Sequence, residues 1–487
     1  MRTILTVIAL PLAAPAPLQD LVDQLPGFPK TTFKVYSGLL DVPGPLNGYD
    51  SLKIHYQLHS SQNEPSKDPV VVWHQGGPGG SSIVGAYLEM GFFQVAMNGT
   101  YTNPWAWNRV ANMLYLESPA GSGSDQGYSQ CIRAGKAVDC KWNDTTQAEA
   151  YAHTLQAFFQ SFPELSKNDL YITGESYFGQ YGPNIVKFII NNAPFNATLN
   201  LKGMAVGNGC WGEQCNGPNR SKNDVDLFFG KGLFSPTLYK TIMNACQFPS
   251  TTTPSEECRS AMAEMARQVG PYNVYNIYDN CPATADFLLQ TGKDMSWLVA
   301  ELRAGLGDPV GTHRKLMDLG GGYPYACHSI AGISDWLVRA DVRRALHLDS
   351  VEPGASSFGY EPFDPLSVTL YPEIIKKIRV LIYNGDADAC VPYNGNEEWI
   401  GDLEAAGALS EAQPWRPWFA GSARTPAGYL TTYSVPGSEQ TFEFQTIRLA
   451  GHMVPEYQPE AAFTMISRFL AEAGAAARGR ESDQVVV

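Results

Sequence analysis

Short apolar runs that end in glycine-rich or polar turns recur along the chain. Val70-Val71-Val72-Trp73 leads into HQGGPGG, Met113 to Leu116 into ESPAGSG, Leu170-Tyr171-Ile172 into GESYFG, and Met204-Ala205-Val206 into GNG. Far downstream, Val380 to Tyr383 leads into NGDAD, and Phe444 to Leu449 into AGHMVP. Runs that are apolar at every position predict strands buried on both faces. Between them the apolar positions take helical spacing. Thr145 to Phe162 reads as a helix with Asp144 or Thr145 as N-cap and Pro163 as its stop. Ile185 to Ile190 continues a helix begun after Ser176, and Pro459 to Ala473 opens with proline on a regular apolar stripe. Alternating strand and helix predicts an α/β fold. Its central sheet should be mixed and mostly parallel, with helices on both faces and chemistry at the carboxyl ends of strands.

The stretch from Cys210 to Tyr325 breaks this rhythm. It lacks strand–turn punctuation, holds five of the nine cysteines and reads as helices and loops. Because core-like strands resume after it, it is predicted to be a helical, cysteine-rich cap inserted over the site. At the amino terminus, Arg2 precedes an apolar run from Ile4 to Ala14, followed by small residues up to Ala16. The run is too short to span a bilayer and has the pattern of a signal peptide. The expected organisation is therefore a leader at 1–16 with an approximate cleavage site, core at 17–209, cap at 210–325, core at 326–473 and a flexible tail at 474–487. No later apolar run reaches the roughly 18 residues of a membrane helix, so no stable membrane span is expected.

Composition narrows the function classes. With 17% charged and 11% aromatic residues in 487, the chain is an ordered globular protein. A net charge of −14 without any Lys/Arg block excludes nucleic acid as a partner. Nine cysteines and sequons at Asn98, Asn143, Asn196 and Asn219 join the leader in pointing to the oxidising secretory pathway. The odd cysteine count leaves at least one thiol free or paired between chains.

Gly174-Glu175-Ser176-Tyr177 follows an apolar strand and precedes a helical stretch. That is the setting of a nucleophile elbow, in which a strained turn holds a serine hydroxyl above the sheet. Serine needs a base and the base an orienting acid, in the chain order Ser, Asp or Glu, His. Asp386 and Asp388 follow one later strand and His452 follows the next; the other seven histidines lack so good a context. One feature dissents. The strict elbow has glycine two residues after the serine, where this chain has Phe178.

Four blocks occur in order: WHQGGPGGSS (Trp73 to Ser82), GESYFGQY (Gly174 to Tyr181), GDADACVP (Gly385 to Pro392) and GHMVPEYQP (Gly451 to Pro459). They resemble the signature blocks of the serine carboxypeptidase family, as do Asn103 to Gly123 and the start from Pro26 to Leu40. The resemblance spans nearly the whole mature chain and implies an α/β-hydrolase fold without metal or cofactor. It implies Ser176 as nucleophile, His452 as general base and then acid, and Asp388 rather than Asp386 as the orienting acid. The N–H groups of Gly77 and Tyr177 would form the oxyanion hole, with a close backbone approach at Gly77. Glu89, Glu175 and Gln75 would grip the substrate's terminal carboxylate, the two acids sharing a proton. Met453 would line the leaving-residue pocket and favour apolar residues.

The implied activity is release of C-terminal residues from peptides and proteins, at acidic pH, in a lysosome-like or vacuolar compartment or outside the cell. Two alternatives stand beside it: an acyltransferase using the same triad, and a protective, partner-binding role as a second function. The sequence leaves room for a homodimer. Three positions depart from the family pattern. Gly80 replaces a cysteine, so the long disulfide expected with Cys327 cannot form. Phe178 replaces a small residue and should either crowd helix–sheet packing or narrow the pocket. Cys390, two residues past Asp388, lines the site or is an inert buried thiol, the buried reading being favoured.

Overall fold

Alternation inside the apolar runs builds two cores, one on each face of a single sheet. In Val70–His74, Val70 and Val72 enter one core while Val71 and Trp73 enter the other. The strand Arg379–Gly385 divides in the same way, with Val380 and Ile382 on one face and Leu381 and Tyr383 on the other. A strand covered on both faces needs no polar side, which is why these runs read as continuously apolar. The computed structural model describes residues 17–96, 99–123, 126–211, 219–248, 254–279, 330–362 and 366–476.

Six central strands run parallel, in the order Asn112–Leu116, Val70–His74, Leu170–Glu175, Leu201–Gly207, Arg379–Gly385 and Thr441–Ile447. Antiparallel strands extend the sheet both ways, Tyr49–His59 and Val35–Leu46 on one side, Gly428–Ser434 and Ser410–Trp418 on the other. The helices Asp144–Ser161, Phe178–Asn191 and Tyr393–Ala405 cover one face through residues such as Leu155, Ile185 and Ile400. Ile83–Leu88 and Pro459–Ala476 cover the other through Tyr87 and Ile466. This is the expected mixed, mostly parallel sheet with helices on both faces. Chain order reverses at Val70–His74, the next strand lying to one side of it and the one after to the other. Ligand clefts open outside the carboxyl ends of strands at such a switch point.

Two helix ends differ from expectation. The first cap is Asn143, whose Oδ1 accepts from Thr146 N–H at 2.9 Å while Thr146 Oγ1 accepts from Asn143 N–H at 3.1 Å. That reciprocal pair outcompetes Asp144 and Thr145, which become the first helical residues. The last helix runs past Ala473 to Ala476, continued by alanine's high helix propensity.

Between the strands Leu201–Gly207 and Arg379–Gly385, the helices Arg220–Gly230, Pro236–Ala245 and Glu256–Val269 build a third, smaller core. A Cys246–Cys258 disulfide staples it, and Ala389 of the GDADACVP loop belongs to the same core. A second disulfide joins Cys131 to Cys140, and Cys210 is also disulfide-bonded. The leader 1–16, Asn98, Cys215, Cys281, Cys327, residues 280–325 of the expected cap and 477–487 of the tail lie outside the described residues. No helix among the described residues is long and apolar enough to cross a membrane.

Candidate active site

Strand Leu170–Glu175 ends one residue before Ser176, which turns at φ 62° into the helix Phe178–Asn191. A serine at positive φ is strained and must be held by its surroundings. Here the Ser176 N–H donates to Gly207 O at 3.0 Å, and Ser176 O accepts from the N–H groups of Gly179 and Cys210 at 2.9 and 2.8 Å. The aromatic at 178 fits because glycines clear its space. A Cβ on Gly174 would sit 2.5 Å from Phe178 Cγ, and one on Gly182 would sit 2.7 Å from Phe178 Cζ. The ring is fully buried in the core beside His74, so it serves helix–sheet packing and does not narrow a pocket.

The two acids after Arg379–Gly385 separate cleanly. Asp386 pairs with Lys231 Nζ at 3.1 Å and accepts from Leu449 N–H at 2.7 Å. Asp388 is fully buried, and its Oδ2 lies 2.7 Å from His452 Nδ1. An ionised carboxylate can only accept, so Nδ1 carries a proton, and in the neutral imidazole the lone pair is then on Nε2. Three further N–H donors fix the carboxylate. Cys390 N–H reaches Oδ1 at 2.7 Å, while Val391 N–H and Asn208 Nδ2–H reach Oδ2 at 3.1 and 2.8 Å. Asn208 Oδ1 accepts from Gly385 N–H at 3.0 Å, so this buried amide ties the acid's loop to the strand beside the elbow. Cys390 is half-buried and retains its thiol, and its contribution to the acid is its backbone N–H.

The glycine-rich turn after Val70–His74 lies against the elbow. A Cβ on Gly76 would fall 2.5 Å from both Ser176 Cβ and Tyr177 N. The close approach expected at Gly77 thus occurs one residue earlier. Gly77 itself has φ +119°, a conformation only glycine adopts easily. The far end of the turn is anchored by Ser81 Oγ–H, which donates to Glu117 Oε1 at 2.8 Å. Glu117, nearly fully buried, in turn accepts from the N–H groups of Tyr128 and Ser129 at 2.6 and 3.0 Å.

Beside this turn lie Gln75, Glu89 and Glu175. Trp73 Nε1–H donates to Gln75 Oε1 at 3.0 Å; since indole can only donate, the amide must face Glu175 with its nitrogen. Gln75 Nε2–H reaches Glu175 Oε1 at 2.6 Å. Glu89 and Glu175 are each 1% exposed and face one another. The Glu89 carboxyl is in hydrogen-bond contact with Glu175 and Gln75. Burial raises the pKa of both carboxyls, Glu456 adding to the shift of Glu89 and Glu89 to that of Glu175. The pair therefore holds a proton above the ordinary glutamate range, and a protonated pair can donate to an incoming carboxylate.

Met453 is half-buried and precedes the short helix Val454–Tyr457. Of the sequons described, Asn196 is exposed, Asn143 is half-buried at its helix cap, and the Asn219 amide donates to Glu398. Asn208 and Glu117 carry no expected role, although both sit in quoted strand-end blocks, GNG and ESPAGSG. A polar residue directly after an apolar strand was the signal available for both.

The serine carboxypeptidase family model matches residues 26–472. The lysosomal protective protein of Mus musculus is 32% identical, the match covering 93% of this chain and 94% of that protein. Serine carboxypeptidase 1 of Hordeum vulgare is 31% identical, over 94% of this chain and 93% of its own. Among solved structures, a prohormone-processing carboxypeptidase of Saccharomyces cerevisiae matches with a TM-score of 0.66 at 19% identity. That match covers 94% of this chain and 97% of the other, a likeness in the α/β-hydrolase fold.

Proposed function

The chain belongs to the serine carboxypeptidase family, and from that premise we propose that it releases C-terminal residues from peptides and proteins through an acyl-enzyme on Ser176. Ser176 Oγ attacks the carbonyl carbon of the last peptide bond while His452 Nε2 takes the hydroxyl proton. The oxyanion accepts from the N–H groups of Gly77 and Tyr177. As the C–N bond breaks, His452 returns that proton to the leaving amine, and water attacks the acyl-enzyme by the same route. Asp388 holds the imidazole with its proton on Nδ1.

The observation that carries exopeptidase action is the buried Glu89–Glu175 pair immediately beside the nucleophile. With its proton, and beside the Gln75 amide, it can grip a terminal carboxylate. Every peptide with a free C-terminus offers a carboxylate to hold, which the ester donor of an acyl transfer does not, so the pair supports peptide hydrolysis. Half-buried Met453 supports a preference for apolar leaving residues. The leader at 1–16, the disulfides Cys131–Cys140 and Cys246–Cys258, and the exposed sequon at Asn196 support a secretory route to an acidic compartment or the exterior.

A peptide mixture followed by mass spectrometry, with Ser176→Ala as control, tests the reading. We expect stepwise C-terminal loss, faster at acid pH and faster for apolar than for Lys or Arg termini. Equal rates on C-terminally amidated peptides would rule out the carboxylate grip.

The grip also sets a pH dependence. Below the raised pKa the pair keeps its proton and binds; above it, two negative carboxylates repel the substrate. KM of the wild type should therefore rise as pH passes that raised pKa, approaching tenfold per pH unit for one proton. Glu89→Gln supplies permanent donors, so its KM should stay flat over that range. A parallel rise in both proteins would remove Glu89 from the grip. Folding stability shares the sign. The folded protein holds this proton more tightly than the unfolded chain does, so the contribution is present at acid pH and lost as pH rises through the raised pKa.

A further inference from the structure

The segment Asn273–Asp279 carries no periodic pattern, yet it clamps both loops that bear Asp388 and His452. Val274 O accepts from Ala389 N–H at 2.9 Å, and Ile277 N–H donates to Ala387 O at 3.0 Å. Both neighbours of Asp388 are thus pinned by one stretch of chain. Tyr275 O accepts from His452 N–H at 2.7 Å, and a Cβ on Gly451 would lie 2.1 Å from that same oxygen. The Tyr275 ring meets the His452 ring edge-on, centroids 4.9 Å apart with planes at 74°. Its own loop is stiffened by Asn273 Oδ1, which accepts from Tyr275 N–H at 2.9 Å. Tyr275 is 8% exposed, and its hydroxyl is in hydrogen-bond contact with Cys390.

A histidine ring turns softly about its second side-chain torsion, whose preferences are broad. The bond to Asp388 fixes one nitrogen but still lets the imidazole rock about the Nδ1–Oδ2 axis. A ring packed against it limits that rocking, and Tyr275 is so placed. We propose that Tyr275 is a positioning residue for His452, which makes the insertion between the strands Leu201–Gly207 and Arg379–Gly385 a working part of the catalytic centre as well as a cover. The planar ring is the active feature, because it is the part of Tyr275 that meets the imidazole edge-on.

The inference rests on Ser176, His452 and Asp388 acting as the triad, and one experiment separates the two. A fluorophosphonate reacts with the serine only when the base is in place. If the wild type is not labelled at Ser176, the triad reading fails; if it is labelled, the variants decide the role of Tyr275. Tyr275→Leu should lower both kcat and the labelling rate by about 10- to 100-fold, with KM within about threefold, as expected for misplacement of a catalytic group. Tyr275→Phe keeps the ring and should stay within about threefold of the wild type. The low-field proton resonance of the His452–Asp388 bond should persist in Tyr275→Phe and broaden or shift in Tyr275→Leu, which a merely structural role would not produce. Wild-type labelling of Tyr275→Leu, or a KM rise at unchanged kcat, would make Tyr275 a pocket wall and overturn the proposal. Should the leucine variant fail to fold, Tyr275→Phe still decides, because a loss beyond tenfold there would assign the effect to the hydroxyl and not the ring.

Discussion

Replacing Asp388 by asparagine should lower kcat by about a thousandfold with KM little changed. The estimate starts from charge. An imidazolium and a carboxylate about 4 Å apart attract by roughly 4 kcal/mol at an effective dielectric near 20, and about 1.4 kcal/mol is a factor of ten in rate. In a serine protease of another fold the same change costs about 10⁴, because the amide traps the wrong histidine tautomer. The donors around Asp388 argue against that trap here. If the new NH₂ took the Oδ2 position, it would oppose Val391 N–H and Asn208 Nδ2–H as well as His452. At the Oδ1 position it opposes only Cys390 N–H. One opposed donor costs about 1–3 kcal/mol and two cost about twice that, so the amide oxygen should face the imidazole and keep its tautomer. Steady-state kinetics on a blocked dipeptide, with the His452 Nδ1–H resonance as readout of the tautomer, would test this. A fall below tenfold would take Asp388 out of the chemistry, and loss of the resonance would mean that the amide had turned the other way.

The sequence shows most where structure is local. All six parallel strands are legible because each is buried on both faces and ends in a turn with its own composition. The antiparallel flanks are less so: Ser410–Trp418 is largely exposed along its length and carries two prolines, leaving no apolar run to find. Ser176, Asp388 and His452 stand out in the sequence because each follows closely on a strand. What the sequence hides is set by partners far along the chain. Asn208 acts on Asp388 only because Leu201–Gly207 pairs with Arg379–Gly385 across the insertion. Tyr275 reaches His452 from a stretch with no period at all. Phe178 looks like a fault in the elbow until Gly174 and Gly182 are seen to make room for it. The same distance effect explains the slip between Gly77 and Gly76, since only the packed structure tells which glycine meets Ser176.

That contact carries the second large prediction, a fall of about 10²–10³ in kcat for Gly76→Ala, the loss typical of removing one oxyanion-hole donor. The added methyl would lie 2.5 Å from Ser176 Cβ and Tyr177 N and 2.8 Å from Glu175 O. Carbon contacts need about 3.5–4 Å, so something must move by about 1 Å. None of the three atoms is the end of a flexible side chain. Ser176 is held by Gly207, Gly179 and Cys210, so the glycine turn is the part that yields. When it does, Gly77 N–H leaves the oxyanion, and Gln75, one residue before the methyl, is pulled from Glu175. KM for peptides with a free C-terminus should therefore rise in the same variant, whereas KM for a small ester should not. Gly401→Ala is the matched control: it lies in the helix Tyr393–Ala405 with nothing within 4 Å of the new methyl, and should leave both constants unchanged. If Gly76→Ala kept wild-type kcat on both substrates, the turn would not be the one that receives the oxyanion, and the assignment of Gly77 would fall with it.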